Sequence, residues 1–236
     1  MATKSKKPAN AAKSPLSRER LIEAALDALQ ANGLTGLSTR NLAERLQVQS
    51  PALYWHVRNK DELLQMVADA ICGQMDFPDR TRSPRERLEV IAHEYRRVLL
   101  AYRDAARLFA EQPPTGPNRI HLYEVAVGAF VDEGFSSTDA VTMATFYRHY
   151  LLGMITEEAR EQAHGKRESP VSAYALGVEL STLEQASADY PHLAGAANAL
   201  TTIDPDRLFE VGMKILLDGV QAQHRQGTRT RAAQRP

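Results

Sequence analysis

A chain of 236 residues, 43% hydrophobic and 25% charged with a net charge of zero, is long enough to bury a sizeable core as one large domain or two modest ones. No apolar run approaches the roughly 20 residues that cross a bilayer, and the opening MATKSKKPANAAKSP lacks the apolar centre of a secretory signal, so a cytoplasmic protein is expected. A single cysteine, Cys72, excludes an intrachain disulfide and argues against a thiolate zinc ribbon; in its apolar helical setting it reads as core packing.

Residues 1–20 carry Lys4, Lys6, Lys7, Lys13, Arg18 and Arg20 against Glu19 alone, a local excess of about +5. Residues 1–16 read as a disordered basic arm, either a solvated tail or a contact to nucleic acid. Beyond it, apolar spacings of three and four dominate and strict alternation is nearly absent, which predicts an all-α fold. A first helix is expected over Ser17–Asn32, with Leu21, Ala25, Ala28 and Leu29 on one face and Gly33 as the stop. Ser38 or Thr39 can cap a short second helix, TRNLAERL, whose Leu42, Ala43 and Leu46 turn inward. Ser50 before Pro51 has the order of a cap and a first-turn proline, and predicts a third short helix. Asn59 precedes a fourth, from Lys60 to about Met75, with Leu63, Leu64, Val67, Ala70 and Ile71 as its buried side.

The polar DFPDRTRSPRER marks a boundary between a unit at residues 17–76 and a second block at 77–226. Helices are expected there at Pro84–Tyr102, Asp104–Ala110, Pro117–Glu133, Ser137–Gln162, Ala173–Ala188 and Pro205–Gln226. EQPPTGPN, AHGKRESP and DYPHLAGA supply loops, and residues 227–236 read as a disordered basic tail.

Two short helices braced by a longer one make a helix-turn-helix, and short helices of this kind need their neighbours to be stable. If Leu42, Ala43, Val48 and Leu53 pack on the first helix, the third presents Gln49, Ser50, Ala52, Tyr54, Trp55 and His56. That mixture of hydrogen-bonding and flat aromatic groups suits a DNA major groove. Trp55 by itself, a large apolar side chain, is expected to be partly buried.

The run AALDALQANGLTGLSTRNLAERLQVQSPALYWHVRNKDELL resembles the DNA-binding domain of the TetR family of bacterial transcriptional regulators, and LYWHVRNK is similar to the tetracycline-repressor subgroup. YRDAARL, DEGFSSTDA and LLGMITEEA extend the resemblance to that subgroup's ligand-binding and dimerisation domain. It implies a repressor that binds a palindromic double-stranded DNA operator as a homodimer and is released by a small-molecule effector. The implied DNA contacts are Thr39, Arg40, Ser50, Pro51, Ala52, Tyr54 and Lys60, beside Gln49, Trp55 and His56 from the reading above. Arg40 is the candidate base contact, since a guanidinium can pair with guanine at two points, and Lys60 the candidate phosphate contact.

Where the subgroup carries glutamine and threonine, Ser50 and Ala52 stand here, so the operator should differ. Gln47 replaces the usual turn glycine and would be strained by about 1 kcal/mol if its φ is positive. Leu208, Val211, Gly212, Ile215, Gly219 and Val220 on one late helix, and Ala140, Met143, Ala144, Tyr147, Leu151 and Met154 on another, are the stripes expected in a four-helix dimer interface. Tyr95, Phe109, Gln112, Tyr123, Tyr147, His149, Tyr150 and Met154 are the candidate pocket residues. Phe109 stands where the subgroup has a metal-coordinating histidine and Gln112 where it has a threonine. A phenyl ring cannot ligate magnesium, so a metal-free aromatic or polycyclic effector is expected, with no cofactor.

An enzyme built on His93, His121, His149 and Glu157 finds no support in a nucleophile elbow, a phosphate loop or a paired metal-ligand motif. The remaining alternative is a helical protein-interaction or architectural module that lacks a small-molecule response.

Overall fold

The structure, a computed structural model, describes residues 16–164, 190–192 and 204–233. Residues 1–15 of the basic arm and the helix expected at Ala173–Ala188 lie outside the described residues. Helix α1 (Arg18–Asn32) starts where Ser17 Oγ accepts the Arg20 N–H at 3.2 Å. It stops at Gly33, whose φ of 63° a side chain rarely adopts. A 3-10 turn (Gly33–Gly36) leads to α2 (Thr39–Leu46), capped by Ser38 Oγ accepting the Asn41 N–H at 3.1 Å. Helix α3 is a single turn (Ser50–Leu53), and α4 (Lys60–Cys72) begins with Asn59 Oδ1 accepting the Glu62 N–H at 2.8 Å.

Two boundaries differ from expectation. Ser50 does not cap α3: it is the first helical residue, Gln49 holds the cap position, and no side chain bonds there. Helix α4 ends at Cys72, three residues early, as Gly73 closes it.

Leu21 and Leu29 of α1, Leu42 of α2, Leu53 of α3 and Leu63 and Val67 of α4 are all fully buried. Each such side chain contributes on the order of 1.5–3 kcal/mol, which is what holds an eight-residue and a four-residue helix in place. The turn between α2 and α3 places Gln47 at φ 55°, ψ 42°, in the left-handed region. The strain expected from the missing glycine is therefore present. Gln47→Gly should raise stability by about 1 kcal/mol, read as a shift of the urea midpoint with an unchanged slope. A midpoint that fell would mean the Gln47 side chain contributes more than the strain costs.

The larger block comprises α5 (Pro84–Ala101), α6 (Ala105–Glu111), α7 (Pro117–Asp132), α8 (Ser137–His164) and α9 (Pro205–Ala233). Ser83 and Glu86 form a reciprocal capping box at the start of α5. Helix α9 runs to Ala233, so most of the tail expected to be disordered is helical. Helix α7 packs on α4, α5 and α8, while α9 lies on α8. Arg96 of α5 fastens that arrangement through Glu158 of α8 and Asp206 of α9, at 2.7 and 2.6 Å. Its guanidinium also covers the Phe209 ring at 4.8 Å.

One apolar core runs from the small head into the larger block. Cys72 lies within it, fully buried, and burial pushes its thiol up to about 12. The expectation of a packing residue rather than a reactive one agrees with that environment.

Two anchors join the head to the block. At the first, Asp104 accepts the Leu34 N–H at 2.9 Å and Gln30 Oε1 accepts the Arg103 N–H at 3.1 Å. A Cβ on Gly33 would collide with the Asp104 carboxylate, so the turn needs glycine for space as well as for its φ. At the second, Asp69 of α4 accepts the Arg119 N–H at 2.9 Å and the Asn118 side-chain N–H at 3.0 Å. Both donors belong to the first turn of α7, where a carboxylate also meets the positive end of the helix dipole. Gly116, at φ 93°, leaves the room that Asp69 occupies.

Candidate nucleic-acid interface and ligand pocket

The segment from Gln49 to Lys60 sorts its side chains by burial. Leu53 and Val57 are sunk into the core, while Gln49, Ser50, Pro51, Tyr54 and Lys60 are exposed. Ala52, His56 and Thr39 are half-buried. Trp55 is 89% exposed, against the expectation of partial burial. The reason is local: Leu53 and Val57 are the residues of this stretch that enter the core, and the turn after α3 leaves residues 54 and 55 facing outward.

Arg40 also lies on this outer side, ion-paired to Glu44 at 3.1 Å with 86% of its side chain in solvent. An exposed pair of this kind holds its guanidinium only weakly and leaves it available to a partner. Lys60 opens α4 at the helix N-terminus, a position suited to an anion. The ten residues expected to touch DNA therefore lie in the head on α2, on α3 and the residues that flank it, and at the start of α4; seven are exposed, and Thr39, Ala52 and His56 are half-buried.

In the larger block, α5, α7 and α8 surround an open-sided hollow with about 320 Å³ of empty space, the part open to solvent included. Its walls are Ile91 and Tyr95 from α5, Leu122, Tyr123 and Ala126 from α7, and Ala144, Tyr147, Arg148 and Leu151 from α8. A concave, mostly apolar lining with a few polar tips is the usual character of a small-molecule site. Burial pushes the Tyr123 phenol up, and the charges of Arg148 and Arg119 pull it the other way. Tyr95 shows the same balance more strongly. The Tyr147 hydroxyl donates to the Leu88 carbonyl, so its proton is already engaged.

Only Tyr95, Tyr123 and Tyr147 of the eight expected pocket residues line this cavity. Phe109 lies in the core, 1% exposed, with its ring edge-to-face with Tyr95 at 5.7 Å and Arg119 over its other side at 4.6 Å. Gln112 offers its backbone carbonyl to Arg119 at 3.2 Å. His149 is exposed and touches Arg148 at 2.6 Å, while Tyr150 rests its hydroxyl against Gly212 of α9. Met154 is half-buried, away from the cavity walls.

The physical reason is angular. Consecutive helical residues are turned by about 100°, so position 149 points away from the side that 147 shares with 150 and 154, and Tyr150 and Met154 stand at the edge of that side, where Tyr150 meets α9 instead of the cavity. The true wall follows 144, 147, 148 and 151, a spacing of three and four that contains a single charged member, Arg148. That lone arginine in an inward stripe was the available signal.

The same geometry corrects one expected dimer stripe. Ala140, Ala144, Tyr147 and Leu151 of α8 are buried within the chain, and Met143 and Met154 are half-buried. The outward face of α8 carries Val141 and Phe146, 54% and 56% exposed. On α9, Leu208, Val211, Ile215 and Gly219 do face outward, whereas Val220 is buried and Gly212 sits against Tyr150.

Among the described residues, no group of three or more His, Cys, Asp or Glu side chains could hold a metal ion, and no helix is long and apolar enough to cross a membrane.

A helix-turn-helix head on a larger, pocketed helical body defines the class: a DNA-binding regulator of transcription. Comparison with known proteins makes it specific. Residues 21–67 match the family "Bacterial regulatory proteins, tetR family", and residues 77–224 match "Tetracyclin repressor-like, C-terminal domain". The chain belongs to the TetR family. It is 36% identical over 204 residues to the tetracycline repressor protein class A from transposon 1721 of Escherichia coli, covering 85% of this chain and 88% of that one. Its fold is similar to that of ActR from Streptomyces coelicolor in complex with actinorhodin, at 29% identity and a TM-score of 0.76, covering 89% and 97% of the two chains. A single-residue variant of TetR from Acinetobacter baumannii AYE in complex with minocycline is similar at 31% identity and a TM-score of 0.62, covering 88% and 98%. The family is one of regulators rather than enzymes.

Proposed function

We propose that the protein is a cytoplasmic repressor that binds a palindromic double-stranded DNA operator as a homodimer and is released by a small aromatic or polycyclic molecule. The observation that carries this reading is the outward face of the head. A core residue does not leave a tryptophan 89% exposed beside an exposed tyrosine and a solvated arginine, whereas a groove-binding surface does. Arg40 is assigned to a base edge, Lys60 to a phosphate, and Gln49, Ser50, Pro51, Ala52, Tyr54, Trp55, His56 and Thr39 to the surrounding contact.

A second copy of the chain accounts for Val141, Phe146, Leu208, Val211 and Ile215. These large apolar side chains stand on the outer faces of two helices that pack on each other, and in a dimer they would be covered by their symmetry mates. An apolar pocket walled by three tyrosines suits a flat ring system. The compounds carried by ActR and by the Acinetobacter protein are in keeping with that shape. Release follows by linkage: a ligand that favours one setting of α7 and α8 also favours one setting of α4, and so of the head at its far end.

Selection of bound duplexes from random DNA supplies the operator, and the double variant Arg40→Ala, Lys60→Ala then tests the face. Affinity for the selected duplex should fall by about 10–100-fold, and the dependence of binding on salt should become shallower by about one released ion or more. Binding that ignores both salt and these substitutions would reject the assignment.

A further inference from the structure

We propose that the effector is an anion, an aromatic or polycyclic acid whose carboxylate is held by Arg148. This rests on the reading of the cavity between α5, α7 and α8 as the effector site and adds the chemistry of its occupant. Arg148 is the only charged residue in the wall of a cavity whose other lining residues are apolar or phenolic. Among the described residues its Nε is buried without an acceptor, and its one hydrogen-bond contact, Nη2 to His149 Nε2, leaves that donor unused. No acidic side chain among the described residues pairs with it.

A guanidinium N–H kept from water without an acceptor is unfavourable, and the structure keeps one here at the edge of an apolar cavity. A carboxylate would accept the orphaned N–H in a charge-assisted bond and neutralise the site, while the ring system covered Leu122, Ala126 and Leu151. A neutral amide of the same shape could satisfy the donor but not the charge. Arg119, the second cation near the cavity, also lacks a carboxylate partner for its side chain: it bonds the carbonyls of Gln112 and Pro113. Both cations act on the phenols of Tyr95 and Tyr123, so their field reaches the cavity walls. The Tyr123 phenol is the neighbouring group that can orient the acid.

The test compares anthracene-2-carboxylate with anthracene-2-carboxamide, two fluorescent probes of nearly equal shape, on the full chain at about neutral pH. The acid should bind at least about tenfold more tightly than the amide. In Arg148→Gln the two should converge to within about twofold, with the acid losing much more affinity than the amide, and Arg148→Lys should restore part of the preference. Equal binding of the two probes to the unaltered protein overturns the proposal even if a variant fails to fold, and so does an acid preference that survives in Arg148→Gln. If neither probe binds while the selected duplex is still bound, the effector pocket itself is misassigned and the proposal falls with it.

Discussion

Replacing Phe109 with alanine should cost about 3–5 kcal/mol of folding stability, because the ring is a core element and not a ligand contact. The resemblance, which implied a metal-coordinating histidine at this position of the subgroup, pointed to the opposite use. In the structure its edge meets Tyr95 and its face supports the Arg119 guanidinium, which burial holds below its ordinary pKa. Truncation leaves a cavity and withdraws the π surface from a cation whose remaining side-chain partners are two backbone carbonyls. The thermal midpoint should fall by on the order of 10 °C. Phe109→Leu, which retains most of the volume, should lose much less. A midpoint unchanged in Phe109→Ala would contradict the packing described for α6.

Substitution of Asp69 by alanine should separate the two activities proposed for the chain, operator binding and response to a ligand. The carboxylate lies on α4, whose first residue is Lys60 of the reading head, and it binds the first turn of α7, which forms one wall of the pocket. Without it, the Arg119 N–H loses its carboxylate partner and the Asn118 side chain keeps only the backbone carbonyl of residue 69, at a cost of about 1–3 kcal/mol. The head keeps its own core and should bind operator almost normally. The ratio of operator affinities without and with a releasing compound should shrink by about fivefold or more, since coupling energies of this kind are about 1–3 kcal/mol. Fluorescence anisotropy of a labelled duplex reads both quantities. An unchanged ratio would reduce the Asp69 contact to a packing detail.

Why some of this was legible from residues alone follows from the range of the forces involved. Helix starts depend on a few adjacent side chains, and the helices beginning after Ser17, Ser38 and Asn59 could be read directly. The strain at Gln47 was legible by another route, the resemblance, which sets glycine at that turn position and so implied strain if φ is positive. The inner face of α8 was not, because that helix is apolar on two sides. Ala144, Tyr147, Leu151 and Ile155 face the chain while Val141 and Phe146 face away, and the pattern cannot say which side meets its own neighbours. Trp55 misled in the other direction: its size argues for burial, yet Leu53 and Val57 are the residues of this turn that reach the core, and Trp55 lies between them on the outside. The Asp69 anchor joins residues 50 positions apart and leaves no local trace.

The Gly33 and Asp104 contact bears on how such proteins can be recombined. One partner belongs to the head and the other to the body, and the fit between them is steric as well as polar. A chimaera that gives this body a new reading head, to redirect it to another operator, must carry glycine at the junction to meet the body's aspartate. A head with a larger residue there would be strained at that φ and would have to push aside the carboxylate that holds the Leu34 N–H. The modularity of the two halves is therefore conditional, and its condition is written in one glycine and one aspartate far apart in the chain.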